Sequence, residues 1–245
     1  MSRESRRVAL APAYVLHHRP WRDTSRILDV FAREHGRLTL FARGVRGPRA
    51  RLAPLLQPFQ PLLLSWSGRG EAPYLSAAEA SGDPRPMPAP RTMAAFYLNE
   101  LLLKLTTRHD PLSSIFDDYH AALGQLKSPG PVEPVLRIFE KRLLETLGYG
   151  VDLAAESASG RPVEAGAYYH FRATQGLALT VAEAPGAYAG DSLLRLAAEE
   201  LGDGRALEDA RRLLRAVLDH CLEGRELATR TVARSMVRRR QRGAS

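Results

Sequence analysis

Apolar residues alternate with polar ones in short runs over the first eighty positions, and beyond them they recur every three or four residues. The first regime predicts strands over Val8 to Leu16, Ser25 to Phe31, Arg37 to Arg43, Phe59 to Ser67 and Pro73 to Glu79. In the second run Ile27, Asp29 and Phe31 alternate against Leu28 and Val30. In the third, Leu38, Leu40 and Ala42 take one face, and Arg37, Thr39, Phe41 and Arg43 take the other. Gly36 permits the tight reversal between these two runs. Five strands of this length, separated by Gly, Pro and charged turns, predict a small all-β barrel of the OB type.

The proline-rich stretch Gly82-Asp83-Pro84-Arg85-Pro86-Met87-Pro88-Ala89-Pro90 suits neither a helix interior nor a central strand, so it marks a boundary. Past it, Thr92 is placed to cap a helix running to about Arg108, with Ala95, Leu98, Leu102 and Leu105 on one stripe. His109-Asp110-Pro111 ends that helix, residues 112 to 126 form a second, and Val132 to Leu147 form a third. Pro131 precedes the third helix, Gly148 closes it, and Leu136, Phe139, Leu143 and Leu147 line its core face. Residues 150 to 188 are rich in Gly and Ala, with weak strand runs at Ala167 to Arg172 and Leu177 to Ala182. Helices return at 191 to 201 and 206 to 221, and Thr229 to Arg242 reads as a further basic helix or a disordered arm. The fold class expected is therefore α+β: an N-terminal OB-fold β-barrel over 1–82, a linker over 83–90, and a mainly α-helical domain over 91–245. That domain carries a small irregular β insertion near 150–188.

Charge changes the picture once it is located along the chain. The formal net charge is +8, and 32 of the 35 basic residues are arginine. Residues 1–82 hold 13 basic against 6 acidic residues, residues 83–228 hold 16 against 21, and residues 229–245 hold 6 against none. A basic first domain, an acidic middle and a basic tail suit a polyanion-binding module joined to a protein-interaction module. An Arg-rich composition without any polyanion partner is the alternative reading.

Most chemistries are excluded by what is missing. Neither a phosphate-binding Gly-x-x-x-x-Gly-Lys-Ser/Thr loop nor a Gly-x-Gly-x-x-Gly turn occurs. The seven histidines show no metal-ligand spacing, and the single cysteine, Cys221, rules out both an internal disulfide and a multi-cysteine zinc site. Asp219 and Glu223 beside it are expected to raise its thiol pKa and leave it structural. Asp117 and Asp118 are adjacent on a helix, about a hundred degrees apart, and read as surface charge rather than as a catalytic pair. No cofactor, metal or small-molecule substrate is expected, nor is an enzymatic activity. The absence of a leader or a long apolar run leads to the expectation of a cytoplasmic protein without membrane contact.

The run from Ala13 through Tyr14-Val15-Leu16-His17-His18-Arg19-Pro20-Trp21-Arg22-Asp23-Thr24 to Ser25 resembles the opening of the RecO recombination-mediator family. Leu28-Asp29-Val30-Phe31, Gly36-Arg37 and Ala42-Arg43-Gly44-Val45-Arg46 continue the likeness. Gln57 to Leu64, Gly68-Arg69-Gly70-Glu71, Tyr97 to Leu102 and Leu147 to Val151 follow in the family's order, so the resemblance spans nearly the whole chain. It implies an N-terminal OB fold, a helical domain, and DNA repair by strand annealing. It also implies loading of recombinase onto single strands coated by single-stranded DNA-binding protein. The implied partners are single- and double-stranded DNA, the C-terminal tail of single-stranded DNA-binding protein, and RecR, with RecF as a possible addition. The implied location is the cytoplasm, at the nucleoid. Two departures stand out. Some relatives carry a four-cysteine zinc element near residues 153 to 170, where this chain has no cysteine. The family's Gly-x-x-Leu-Lys-Ser-Arg run is here Gly224-Arg225-Glu226-Leu227-Ala228-Thr229-Arg230, without the lysine.

A protein that anneals any sequence should neutralise phosphates and leave base edges free. Arg22, Arg26, Arg37, Arg43, Arg46, Arg49 and Arg51 are the expected phosphate contacts, with Gly44 and Gly47 letting the loop backbone approach the strand. Trp21 and Phe41 either stack on bases or pack on the barrel. In the third helix the resemblance implies a pocket for the acidic, phenylalanine-ending tail, with Arg137 gripping its carboxylate beside Leu136, Phe139 and Leu143. The plain alternative is that Arg137 pairs with Glu133, or beside Lys141, on a solvated helix face. The competing class is an interaction scaffold whose basic barrel meets RNA or an acidic protein. The Arg238-Arg239-Arg240 run either grips DNA or keeps the chain soluble.

Overall fold

A single long strand, paired with different neighbours along its two halves, is what closes the barrel. In the computed structural model, which describes residues 6–46, 52–68, 72–82, 85–202, 204–233 and 235, β1 spans Arg6–Trp21. Its first half pairs with β4 (Leu62–Gly68) and its second half with β2 (Ser25–Ala32), both antiparallel. Register shifts between Val8 and Ala11, and between Val15 and His17, mark bulges that bend the strand from one partner toward the other. At the first shift Leu10 has φ 48°, and its N–H donates to Ser65 Oγ at 3.0 Å. With β3 (Gly36–Ala42) and β5 (Tyr74–Ala80) the order is β1-β2-β3-β5-β4, closed, as in an OB fold.

Two strand expectations need correction. The first strand does not stop at Leu16 but runs through Pro12 and Pro20 to Trp21; Pro12 still serves the sheet through its carbonyl, which accepts Arg33 N–H at 3.0 Å. The fourth begins at Leu62 rather than Phe59, because Phe59 sits at φ 70° in a turn flanked by prolines.

Alternation divides each barrel strand as expected. Val15, Leu28, Val30, Leu38, Leu40, Ala42, Leu62, Leu64 and Trp66 belong to the interior cluster. Tyr14, Leu16 and Phe31 are also buried, but outside that cluster. They meet α1 (Thr92–Leu105) and α2 (Ser113–Lys127). The Tyr14 ring lies 5.0 Å from Tyr119, edge on, and 5.5 Å from Phe116, while Phe31 lies 5.6 Å from Phe116. Asn99, buried on α1, donates to the Leu16 carbonyl at 2.8 Å and accepts the Tyr119 hydroxyl at 2.5 Å. Thr92 opens α1 rather than capping it; its hydroxyl donates to the Pro88 carbonyl at 3.2 Å.

The chain divides into two compact units, Met1–Pro129 with Leu227–Ser245, and Gly130–Glu226. The division differs from the boundary expected at 83–90, since α1 and α2 share aromatic packing with the barrel. The C-terminal segment returns to this first unit at α1. Residues 228–233 are helical, and Glu100 accepts N–H groups from Ala228 (2.8 Å) and Thr229 (2.9 Å) at that helix start. At the end of the Gly224 to Arg230 run, Leu227 is buried and Arg230 Nη2 lies 3.4 Å from the Tyr97 hydroxyl. The arginines at 238–240 lie outside the described residues.

The second unit contains α3 (Val132–Thr146), a three-stranded sheet, α4 (Gly190–Ala197) and α5 (Arg205–Cys221). The sheet order is β7 (Gly176–Thr180), β6 (Tyr168–Arg172), β8 (Tyr188–Ala189). The two weak strand runs are thus a real hairpin, and the third strand, two residues long, carries too little pattern to be read. At the start of the segment that precedes this sheet, Asp152 Oδ1 accepts the Ala154 and Ala155 N–H groups at 3.0 and 3.1 Å. Cys221 has a raised thiol pKa, as expected, but burial rather than its acidic neighbours raises it.

Candidate nucleic-acid interface

On β3 the outward residue Phe41 pairs across the sheet with Ile27 on β2 and with Tyr74 on β5. Cross-strand partners point to the same side, so one outer patch is shared by three strands. Trp21, at the end of β1, pairs with Ser25 and reaches the same patch over that small side chain. The Trp21 and Phe41 rings are 6.2 Å apart and tilted by 52°; Phe41 and Tyr74 are 5.8 Å apart and tilted by 36°. Three aromatic rings therefore form a row across the strands. Trp21 and Tyr74 keep 45% and 44% of their surface exposed, which an apolar ring in a monomer's core does not.

Cations flank this row. The Arg43 guanidinium carbon sits 3.9 Å from the centre of the Tyr74 ring, a cation–π contact that preorganises the charge without neutralising it. At the other end Arg46 folds back on the β1–β2 turn: its backbone N–H donates to the Thr24 carbonyl (3.0 Å) and its Nη1 to the Arg22 carbonyl (2.9 Å). Both partners are neutral carbonyls, so the charges of Arg22 and Arg46 stay available, and both residues are exposed. Gly44, at φ 65° with open space around its Cα, gives the loop its left-handed turn. Arg19 is exposed and pairs with Ile27, which puts it on the same side.

The expected phosphate contacts thus separate into groups. Arg22, Arg43, Arg46 and Trp21 come together. Arg26 does not: it pairs with Ala42 and Pro20 on the inward-facing side, at the barrel's end. Its Nη1 is buried with no hydrogen-bond partner among the described residues. Burial, with the Arg26 charge nearby, lowers the His18 pKa and favours the neutral imidazole there. Arg37 shares the outer side with Phe41 but is covered by the α1–α2 connection. Its Nη2 donates to the Thr106 carbonyl at 2.7 Å and its Nε to Thr106 Oγ1 at 3.2 Å, while its own carbonyl accepts His109 N–H at 2.9 Å. Burial, then the neighbouring Arg108 charge, lowers its pKa. Gly36 beside it is required, since a Cβ there would lie 2.0 Å from the Asp110 carbonyl oxygen. The outer side of β3, expected to present two arginines, presents one. Gly47, Arg49 and Arg51 lie outside the described residues.

Tyr74 and Arg19 were missed by sequence reasoning. Tyr74 stands directly after Pro73 in a strand run, and an aromatic at an outward strand position was the signal available. Arg19 lies beyond Leu16, where the first strand run was expected to end.

In the second unit, Phe139 and Leu143 are 1% and 0% exposed, and Leu136 is half-buried. Arg137 is buried too, its Nη2 donating to Glu140 Oε1 at 2.6 Å. Its partner is Lys141's neighbour Glu140 and not Glu133, and the pair is buried rather than on a solvated helix face. On the surface, Asp117 is held by Arg33 through two hydrogen bonds of 2.9 and 2.7 Å, which pull its carboxyl below the usual range. Among the described residues, no group of three His, Cys, Asp or Glu side chains could hold a metal ion. No described helix is long and apolar enough to cross a membrane.

A closed five-strand barrel with a basic and aromatic outer patch, followed by helices, defines an OB-fold protein with an accessory helical region. The family models point the same way. Recombination protein O N terminal matches residues 7–82, and Recombination protein O C terminal matches residues 89–230. The chain belongs to the RecO family of DNA repair proteins. It is 43% identical to the DNA repair protein RecO of Nitrosococcus oceani over 91% of this chain and 92% of that one. Identity is 40% to the protein of the same description from Azoarcus sp. (94% and 97% covered), and 40% to that from Methylococcus capsulatus (94% of each).

Proposed function

We propose that this chain binds single- and double-stranded DNA through the outer patch of its barrel, anneals complementary strands, and helps load recombinase onto strands coated by single-stranded DNA-binding protein. The carrying observation is the exposed cluster of Arg22, Arg43 and Arg46 around Trp21, Phe41 and Tyr74. Those cations meet phosphates, whose charge is the same whatever the sequence, and base edges are left free to pair. Two strands neutralised on one small barrel lose much of their mutual repulsion, and no nucleotide hydrolysis is needed. In this reading residues 1–82 are the DNA-binding domain, the chain acts in the cytoplasm at the nucleoid, and RecR, alone or with RecF, assembles with it.

The test is annealing of complementary oligonucleotides without nucleotide triphosphate, in wild type and in Arg43→Ala/Arg46→Ala. Annealing is expected to fall sharply in the double variant; equal annealing removes this patch from the mechanism. An interaction scaffold for RNA or an acidic protein is separated by competition, since it predicts that DNA oligonucleotides fail to displace the bound partner.

The reading extends to the acidic tail of single-stranded DNA-binding protein. Arg137 would then exchange Glu140 for the tail's terminal carboxylate while Leu136, Phe139 and Leu143 part to admit its phenylalanine. Binding of a fluorescent tail peptide undiminished by Arg137→Ala would reject that assignment.

A further inference from the structure

The run Leu147 to Val151 takes no part in the barrel patch, and most of it lines a cleft in the second unit. Leu147 and Gly148 are accounted for by the end of α3. Gly148 has φ 81°, and the Tyr149 N–H donates to the Leu144 carbonyl at 2.8 Å, which closes the last turn. The Tyr149 ring has no such duty and keeps 49% of its surface exposed. Beside it lies a cavity of about 210 Å³. Tyr149, Asp152 and Ser157 from the segment after α3, Phe171 from β6, and Val217 and His220 from α5 stand on its wall. The volume falls below the roughly 300–1,000 Å³ that takes a drug-sized ligand, so it suits the head of one side chain rather than a whole nucleotide. We propose that this cavity receives the guanidinium group of an arginine carried by a partner polypeptide.

Hydrogen bonding and charge select that group. Asp152 is the one carboxylate on the wall, and neither Lys nor Arg stands there with it. Its Oδ1 accepts the Ala154 and Ala155 N–H groups, while its Oδ2 accepts none among the described residues. Ser157 Oγ accepts the Leu177 N–H at 3.0 Å and has a second lone pair, and the Tyr149 hydroxyl and a neutral His220 ring each add an acceptor. Backbone donors on the same wall are spent. The Gly148 N–H goes to the Glu145 carbonyl at 3.1 Å, and the Ser157 N–H to the Leu177 carbonyl at 3.0 Å. A phosphate or a peptide carboxylate therefore meets a negative charge and few donors, whereas a guanidinium is a cation with five N–H donors in one plane.

The rings favour the same occupant. A guanidinium stacks over the face of tyrosine or phenylalanine, and among the described residues neither Tyr149 nor Phe171 is paired with another ring or covered by a cation. Lysine, a compact point charge, answers the carboxylate but cannot lie flat on a ring or reach acceptors on several sides at once. Residues 130–226 as a whole carry 16 acidic side chains against 11 basic, so a basic partner is drawn toward this unit and a nucleic acid is not. The proposal is thus independent of DNA binding by the barrel.

The test is a titration of the full-length protein with acetyl-arginine methylamide, its uncharged isostere acetyl-citrulline methylamide, and Nα-acetyl-lysine methylamide, read from backbone amide chemical shifts. The arginine compound is expected to move the amides of residues 148–157, 171–176 and 217–220 to saturation, with the citrulline compound leaving them in place and the lysine compound binding more weakly. Asp152→Asn keeps the oxygen that holds Ala154 and Ala155 but removes the charge, and it should weaken arginine binding by roughly 10- to 150-fold. Tyr149→Leu, at an exposed position, should weaken it by roughly 2- to 5-fold and leave the remaining spectrum unchanged. Equal shifts from citrulline and arginine, undiminished binding by Asp152→Asn, or shifts confined to other residues overturn the site. Lysine binding as tight as arginine overturns the guanidinium assignment.

Discussion

The two ends of the barrel's outer side carry the same kinds of residue and meet opposite fates. Toward one end Tyr14 and Phe31 project from β1 and β2 and disappear beneath α2, against Phe116 and Tyr119. Toward the other, Trp21, Phe41 and Tyr74 project from β1, β3 and β5 and remain open to solvent to differing degrees. Arg37 and Arg43 repeat the contrast within six residues of one strand and its turn: the first is tied to Thr106, the second lies on Tyr74. Composition does not separate covered from exposed side chains here. What separates them is whether a later segment of chain covers that part of the sheet.

The comparison can be broken by mutation, and the largest effect belongs to the covered end. Phe31→Ala should cost about 3–5 kcal/mol in urea unfolding, because it removes a fully buried ring and leaves a cavity, whereas Trp21→Ala should stay within about 1 kcal/mol. Arg137→Ala in the second unit should cost a comparable 3–5 kcal/mol, since it takes the cation away from the buried Glu140 carboxylate; a change near zero would mean that the pair is readily solvated. Arg37→Ala is expected to cost about 1–3 kcal/mol through loss of the bonds to Thr106, with the salt dependence of DNA binding unaltered.

Arg43→Ala is the mirror case. Stability should hold within about 0.5 kcal/mol. The log–log salt slope for single-strand binding should drop by about 0.7, the signature of one lost phosphate contact. If Arg37→Ala changes the salt slope and Arg43→Ala does not, the division of the two ends is wrong.

A local effect concerns the C-terminal segment docked on α1. Burial alone would raise the Glu100 carboxyl, but the hydrogen bonds from Thr229 and Ala228, with Lys104, outweigh it and hold the pKa below the ordinary value. A depressed carboxylate stabilises fully above its unfolded pKa of about 4.3 and loses that contribution as pH falls through the folded value. Relative to the intrinsic rate at each pH, hydrogen exchange at the Ala228 and Thr229 amides should therefore accelerate on acidification below about pH 4. Glu100→Gln should reproduce the acceleration at neutral pH, at a cost of about 1 kcal/mol, as for a lost helix cap.

Much of this molecule was legible in its residues. The five strands, three successive helices and the later hairpin follow from alternation, three-to-four spacing and the prolines that interrupt them. The members of the patch that were recognised, Arg22, Arg43, Arg46 and Trp21, stand in turns or at strand ends, where local pattern and exposure agree. Arg26 was misplaced because the strand register turns it inward at the barrel's end. Arg37 was misplaced because residues 106–110, seventy positions downstream, return to cover it. Arg137 and Glu140 interrupt an apolar stripe with charge, and only the three-residue helical offset between them makes their burial tolerable.

Sequence alone determined the order of most elements and which side of each is apolar, because periodicity and turn chemistry act over a few neighbouring residues. It also determined the family and the concentration of arginine at the two ends of the chain. Tertiary structure decided which outward side chains meet solvent, since that depends on contacts between segments far apart in the chain. It also decided that three rings from β1, β3 and β5 stand in one row. A residue's neighbours along the chain constrain its backbone strongly, but its cover comes from elsewhere in the fold.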